Sequence, residues 1–194
     1  ITPHSLYAVH LEVLEEMLGV GAAPRGRPTS PGLSPDGGTP LRSIHLLESA
    51  EEDQFFRQQT GPLANYVVER GGEVSLPFSS PIKWLAAMGA LKNLLVVHGN
   101  YLQPNEIALL RQAGASVIHS PGSHRFFGHR PFPLMELKGQ GVNVGIGTDS
   151  LASNEQLNML RELTLLKESF PELSSEEIVR MATLGGAKGL GLET

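Results

Sequence analysis

At 194 residues with 40% apolar side chains, the chain is long enough to bury a sizeable core and falls outside the disordered class. Its net charge of -5 is spread along the chain without a basic stripe, which argues against a nucleic-acid partner. The absence of cysteine excludes disulfides, thiolate zinc sites and a cysteine nucleophile, so any metal site must be built from histidine and carboxylate.

No apolar run approaches the ~20 residues of a membrane span, and no signal-peptide pattern opens the chain. A cytoplasmic protein without membrane contact is expected. Ile1-Thr2-Pro3-His4 reads as a strand stub with His4 at its tip. Leu6, Val9, Val13, Leu14 and Met17 recur at helical spacing and predict an amphipathic helix over 5–17, closed by Gly19 or Gly21. Residues 22–40 hold five prolines and no periodicity, and read as a loop or insertion.

From residue 41 to 47 strand character resumes, with Ile44 and Leu46 on the face opposite His45 and with Glu48 just past the strand. A helix over 49–57 follows, carrying Glu51, Glu52 and Asp53 where the helix dipole favours acids. Pro62 opens a second helix to residue 70, and 71–80 is loop. A short helix over 81–91 precedes the apolar run 94–97, which ends at His98.

The rhythm then repeats. A helix over 104–113 leads to a strand over 115–118 ending at His119, and after a long loop a helix over 132–138 leads to a strand over 142–146. That strand runs into Gly147-Thr148-Asp149-Ser150. Asn154 is placed to cap a helix over 155–167, and Ser174 or Ser175 to cap a last helix over 176–183.

Four successive strand-then-helix units with apolar strands predict an α/β fold with a parallel sheet and helices outside it. His45, His98, His119 and Asp149 each follow or terminate a different strand, and in a barrel such residues meet at one mouth. An open doubly wound sheet would spread them along an edge and would call for a Gly-rich phosphate turn, which the sequence lacks. The barrel is preferred. Imidazoles and a carboxylate so placed suit a divalent ion, although each has an ordinary structural alternative: His98 in the core, His119 on a backbone carbonyl, Asp149 in an Asx turn.

Five blocks give this pattern a resemblance. They are Pro3-His4-Ser5-Leu6-Tyr7, His45-Leu46-Leu47-Glu48, Val97-His98-Gly99-Asn100, the run from His119 to His124, and the run from Gly147 to Asn154; the ending from Met181 to Gly191 matches as well. In order and spacing they resemble the metal-dependent amidohydrolase superfamily, in its branch of chlorohydrolase-like enzymes and nucleobase or nucleoside deaminases. The resemblance implies a (β/α)8 TIM-type barrel, with residues 1–194 as its C-terminal part from the end of strand four to strand eight. It also implies one divalent metal, zinc or alternatively iron, held by His45 and Asp149 with His98 able to contribute.

By the same resemblance Glu48 is the proton shuttle, and His98 holds the attacking water or the leaving group. Asp149 ligates the metal and takes the water's proton, while His4 and His124 contact substrate. His124 stands where many relatives have asparagine, and bulky residues follow it. The implied reaction is hydrolytic deamination of a small aminated heterocycle, with displacement of chloride or a substituted amine from a triazine-like ring as the alternative. Family members also carry a His-x-His ligand pair on their first strand, and these residues include none. The chain is therefore expected to bind metal poorly by itself, as a catalytically incomplete piece would. Its unpaired strand edges predict aggregation, a homo-oligomer or pairing with a complementary segment.

Overall fold

The computed structural model describes residues 4–7 and 42–192. The expected loop over 22–40, and the part of the first expected helix beyond Tyr7, lie outside the described residues. Four strands form the sheet: β1 (Arg42–Leu46), β2 (Leu94–His98), β3 (Ser116–His119) and β4 (Asn143–Ile146). Every neighbouring pair is parallel and the spatial order is the chain order. Each crossover therefore steps one strand in the same direction with no reversal, as in a barrel segment and unlike a doubly wound sheet.

The register makes the core. Ile44, Val96, Val117 and Val144 pair in one continuous row and all are buried. The helices α1 (Ala50–Gln58), α2 (Pro62–Glu69), α3 (Pro81–Ala87) and α4 (Pro104–Ala113) pack on the same core, to which α1 supplies Phe56, α3 Ile82 and Leu85, and α4 Leu110, with Ala64 of α2 also buried. Full burial of such side chains stabilises by about 1.5–3 kcal/mol each. On the β4 side lie α5 (Pro121–Phe127), α6 (Leu134–Gly139), α7 (Met159–Ser169), α8 (Ser175–Arg180), a π-type turn over Met181–Gly185, and α9 (Gly186–Gly189). A Cβ on Gly185 would stand 2.5 Å from the Val144 carbonyl oxygen, so glycine lets this segment press against β4.

Three sequence expectations are corrected here. Ser5 does not begin a helix; it forms a parallel bridge with His45, and Leu6 and Tyr7 turn away from it. The segment after His119 is not a long loop, because Pro121 starts α5, whose first turn carries the small buried residues Gly122 and Ser123 instead of an apolar stripe. The helix expected over 155–167 begins at Met159 with Asn158 as its cap, accepting from the Leu160 and Arg161 N–H groups. Asn154 is drawn inward instead: its amide donates to the Thr148 carbonyl at 2.8 Å and to Glu162 Oε1 at 2.6 Å.

Among the described residues no helix is long and apolar enough to cross a membrane. The parallel sheet puts the C-terminal ends of all four strands on one side, and there His45, Glu48, His98, His119 and Asp149 are gathered.

Candidate metal centre and acid-base site

At the strand ends, one donor atom each from His45, His98 and Asp149 lies within 4.8 Å of the others. His45 Nδ1 is 3.0 Å from the His4 carbonyl oxygen, which fixes the N–H on that nitrogen and leaves the Nε2 lone pair outward. The His45 N–H donates to the same carbonyl at 2.9 Å. Asp149 Oδ2 accepts from the Ser123 hydroxyl at 2.6 Å and the Ser153 hydroxyl at 2.8 Å, which orients the carboxylate. Two imidazoles and a carboxylate so held fit a divalent ion of the zinc or iron type.

His98 Nε2 is 3.5 Å from Glu48 Oε1 and 4.0 Å from Asp149 Oδ2. Burial pushes the His98 imidazole down to about 4 against the attraction of Asp149, so at neutral pH it is uncharged and able to ligate. Burial raises the Glu48 carboxyl and the charge of Asp149 raises it further, with His4 opposing. Burial would raise Asp149 too, but the hydroxyls of Ser123 and Ser153, helped by His98 and the Ser150 backbone, together hold that carboxyl below its ordinary value. The two carboxylates are thus driven apart, as an acid and a ligand require.

Three non-glycine residues here adopt the left-handed backbone: Leu47 at φ 53°, His98 at φ 72° and Asp149 at φ 56°. Such residues cost of order 1–3 kcal/mol each and persist where their surroundings over-determine them. The left-handed Leu47 breaks the strand alternation: it is buried rather than facing the pocket with His45, and it swings Glu48 toward His98.

His119 stays out of this cluster. It is buried and stacked on Phe132 with ring centres 3.9 Å apart, and burial pushes its imidazole well below the ordinary value. Of the substrate candidates, His4 lies beside the centre with its ring 4.4 Å from that of His45. His124 is on α5, where its Nε2 is 2.8 Å from the Arg130 carbonyl. It lines a cavity of about 270 Å³ with His119, His129, Phe132 and Phe170.

Sequence reasoning missed Ser123 and Ser153, as well as Glu52 and Asn100, which bond the Glu48 backbone. Glu52 carried a local signal, since Ser49-x-x-Glu52 is a capping-box pattern, and Asn100, Ser123 and Ser153 fell inside the resembling blocks without a role of their own. The serines show no spacing of their own.

Parallel strands stepped in chain order, with His45, His98, Asp149 and an acid gathered at their C-terminal ends, have the layout of a barrel enzyme's loop-built site that could hold a divalent ion. The model of the amidohydrolase family matches residues 44–194, and the chain belongs to that family. It is 35% identical over 161 residues to the 5-methylthioadenosine/S-adenosylhomocysteine deaminase of Pyrococcus abyssi, covering 79% of this chain and 34% of that protein. Against the aminodeoxyfutalosine deaminase of Deinococcus radiodurans it is 32% identical over 167 residues, covering 81% and 40% respectively. A crystal structure of an adenosine deaminase from Xanthomonas campestris with bound zinc superposes with TM-score 0.71 at 26% identity, covering 98% of this chain and 38% of that one. The chain spans well under half the length of these relatives.

Proposed function

We propose that this chain carries the acid-base half of a metal-dependent deaminase acting on an aminated nucleoside or nucleobase, and that the metal is zinc. Support comes above all from one juxtaposition: the Glu48 carboxyl 3.5 Å from His98 Nε2, at the edge of the His45-His98-Asp149 set. The names of the relatives point the same way.

His45, His98 and Asp149 would hold the ion, which supplies a water activated at neutral pH. Asp149 accepts a proton as that water's oxygen bonds to the aminated carbon. Glu48 donates its proton to the adjacent ring nitrogen, so that the carbon becomes tetrahedral. The proton held by Asp149 then passes to the amine, the C–N bond breaks and ammonia leaves, and the hydroxyl proton returns to Glu48 as the C=O bond forms. His98 holds the water or the departing amine, while His4 and His124 contact the substrate.

The test is ammonia release by the metal-loaded enzyme that carries this chain, from 5-methylthioadenosine, S-adenosylhomocysteine, aminodeoxyfutalosine and adenosine. Chloride release from a chlorotriazine is followed in parallel to identify the leaving group. Glu48→Gln is expected to lower kcat by ~10²–10⁴-fold with metal content unchanged. An undiminished rate in that variant would remove Glu48 from the mechanism.

A further inference from the structure

Three consecutive carbonyls, from the last residue of β1 onward, are taken by three consecutive residues after β2. The Gly99 N–H donates to Leu46 O at 3.0 Å, the Tyr101 N–H to Leu47 O at 3.1 Å, and the Asn100 side-chain amide to Glu48 O at 2.9 Å. From the other side, the Glu48 N–H donates to Glu52 Oε2 at 2.7 Å. We propose that Glu52 and Asn100 are positioning residues which grip Glu48 by its own N–H and C=O and so set the direction in which its carboxyl leaves the loop.

Helix capping alone does not account for the arrangement. In a capping box the carboxylate of the third helical residue takes the N–H of the cap residue, here Ser49, whereas the short bond of Glu52 is to Glu48, one residue earlier, with the Leu47 and Ser49 N–H groups acting on it more weakly. Glu52 is only 4% exposed and its other oxygen, Oε1, is buried without a partner. Burial of a carboxylate there is costly. The Asn100 bond contributes nothing to the helix, and Asn100 is itself fully enclosed.

The grip is braced. Arg130 donates to the Asn100 carbonyl at 3.0 Å and to the Leu102 carbonyl at 3.3 Å, and the Arg57 guanidinium reaches the Tyr101 carbonyl at 3.4 Å. The left-handed Leu47 needs such bracing, because nothing in a leucine favours φ 53°.

The inference rests on the proton-carrying role proposed above for Glu48, and the experiment separates the two. In the metal-loaded enzyme, Glu52→Ala and Asn100→Leu should each lower kcat by ~10–100-fold with KM within about twofold and zinc content unchanged, since misplacing a group by about 1 Å costs that much. Glu52→Gln, which keeps an acceptor for the Glu48 N–H, should retain kcat within about threefold of the parent. In a Glu48→Gln background, adding Glu52→Ala should change the residual rate by less than about twofold, because both act through one side chain.

Amide hydrogen exchange at Glu48 should be slow in the parent and in Glu52→Gln, and faster in Glu52→Ala. Unchanged exchange in Glu52→Ala, or an equal loss of kcat in the Glu48→Gln background, overturns the grip. Full activity of Glu48→Gln alone overturns the shuttle role instead.

Discussion

The Ser123 hydroxyl donates to Asp149 Oδ2 at 2.6 Å, so the first turn of α5 holds the carboxylate at the end of β4. Ser153 makes a second bond to the same oxygen at 2.8 Å. Groups that orient a metal ligand in this way typically govern affinity by 10–100-fold. Ser123→Ala is expected to weaken zinc binding by about tenfold and Ser123→Ala/Ser153→Ala by about a hundredfold. Competition titration with a chelator in the enzyme that carries this chain measures both, and parent-like affinity in the double variant would contradict the role.

Stability should depend on pH through Glu52. Burial raises its carboxyl to about 7, above the ordinary 4.5 of an unfolded glutamate. Between those values the unfolded chain has released its proton while the folded one keeps it. The contribution is therefore complete below about pH 4.5 and is lost as pH rises through about 7, up to roughly 3 kcal/mol in all. Urea unfolding at pH 5 and pH 8 should show this loss in the parent and a smaller one in Glu52→Gln. Equal pH slopes in the two proteins would count against the buried acid.

Arg57 joins α1 to α4 through a nearly buried ion pair. Its guanidinium meets Glu106 Oε1 at 3.0 Å and Oε2 at 2.9 Å, and Asp53 Oδ1 at 2.6 Å. Glu106 also accepts from the Ser80 hydroxyl at 2.6 Å and from the Gln103 N–H at 2.9 Å. Arg57→Met leaves that carboxylate buried without its countercharge and should destabilise by about 3–5 kcal/mol. Combining it with Glu106→Gln should recover part of the loss, as read from denaturation midpoints.

Two glycines should respond in opposite ways to alanine. A Cβ on Gly122 would lie 2.5 Å from Asn154 Nδ2 and 2.7 Å from Glu162 Oε1, both buried and hydrogen-bonded. Gly122→Ala is expected to destabilise by about 1–3 kcal/mol and, by displacing the adjacent Ser123, to weaken metal binding. At Gly139 nothing lies within 4 Å of an added Cβ, so Gly139→Ala should be neutral within about 0.5 kcal/mol or slightly stabilising. Thermal unfolding of both variants decides the contrast.

The strands were legible because a buried parallel strand is largely apolar, and Leu94 to Val97 satisfies that without help from the rest of the chain, as do Val142, Val144 and Ile146 around Asn143 and Gly145. The polar residue ending each run was equally plain, so His45, His98 and Asp149 could be placed at strand ends from order alone. Helix α5 was hidden because its buried face is made of Gly122 and Ser123, which carry no hydrophobic period. The cap of α7 was misplaced by one turn, because Asn154 and Asn158 look alike in sequence and only the buried Glu162 decides which is drawn inward.

By itself, then, the sequence determined the parallel strand-helix rhythm and the chemical types waiting at the strand ends. Those follow from side-chain polarity and period, which are local. Tertiary structure alone decided that His119 stacks on Phe132 instead of joining His45, His98 and Asp149, that two serines from different segments hold Asp149, and that the Glu48 backbone bonds both Glu52 and Asn100. The Ser123–Asp149 and Asn100–Glu48 contacts join loops that follow different strands, and they exist only once the sheet's register has brought the strand ends together.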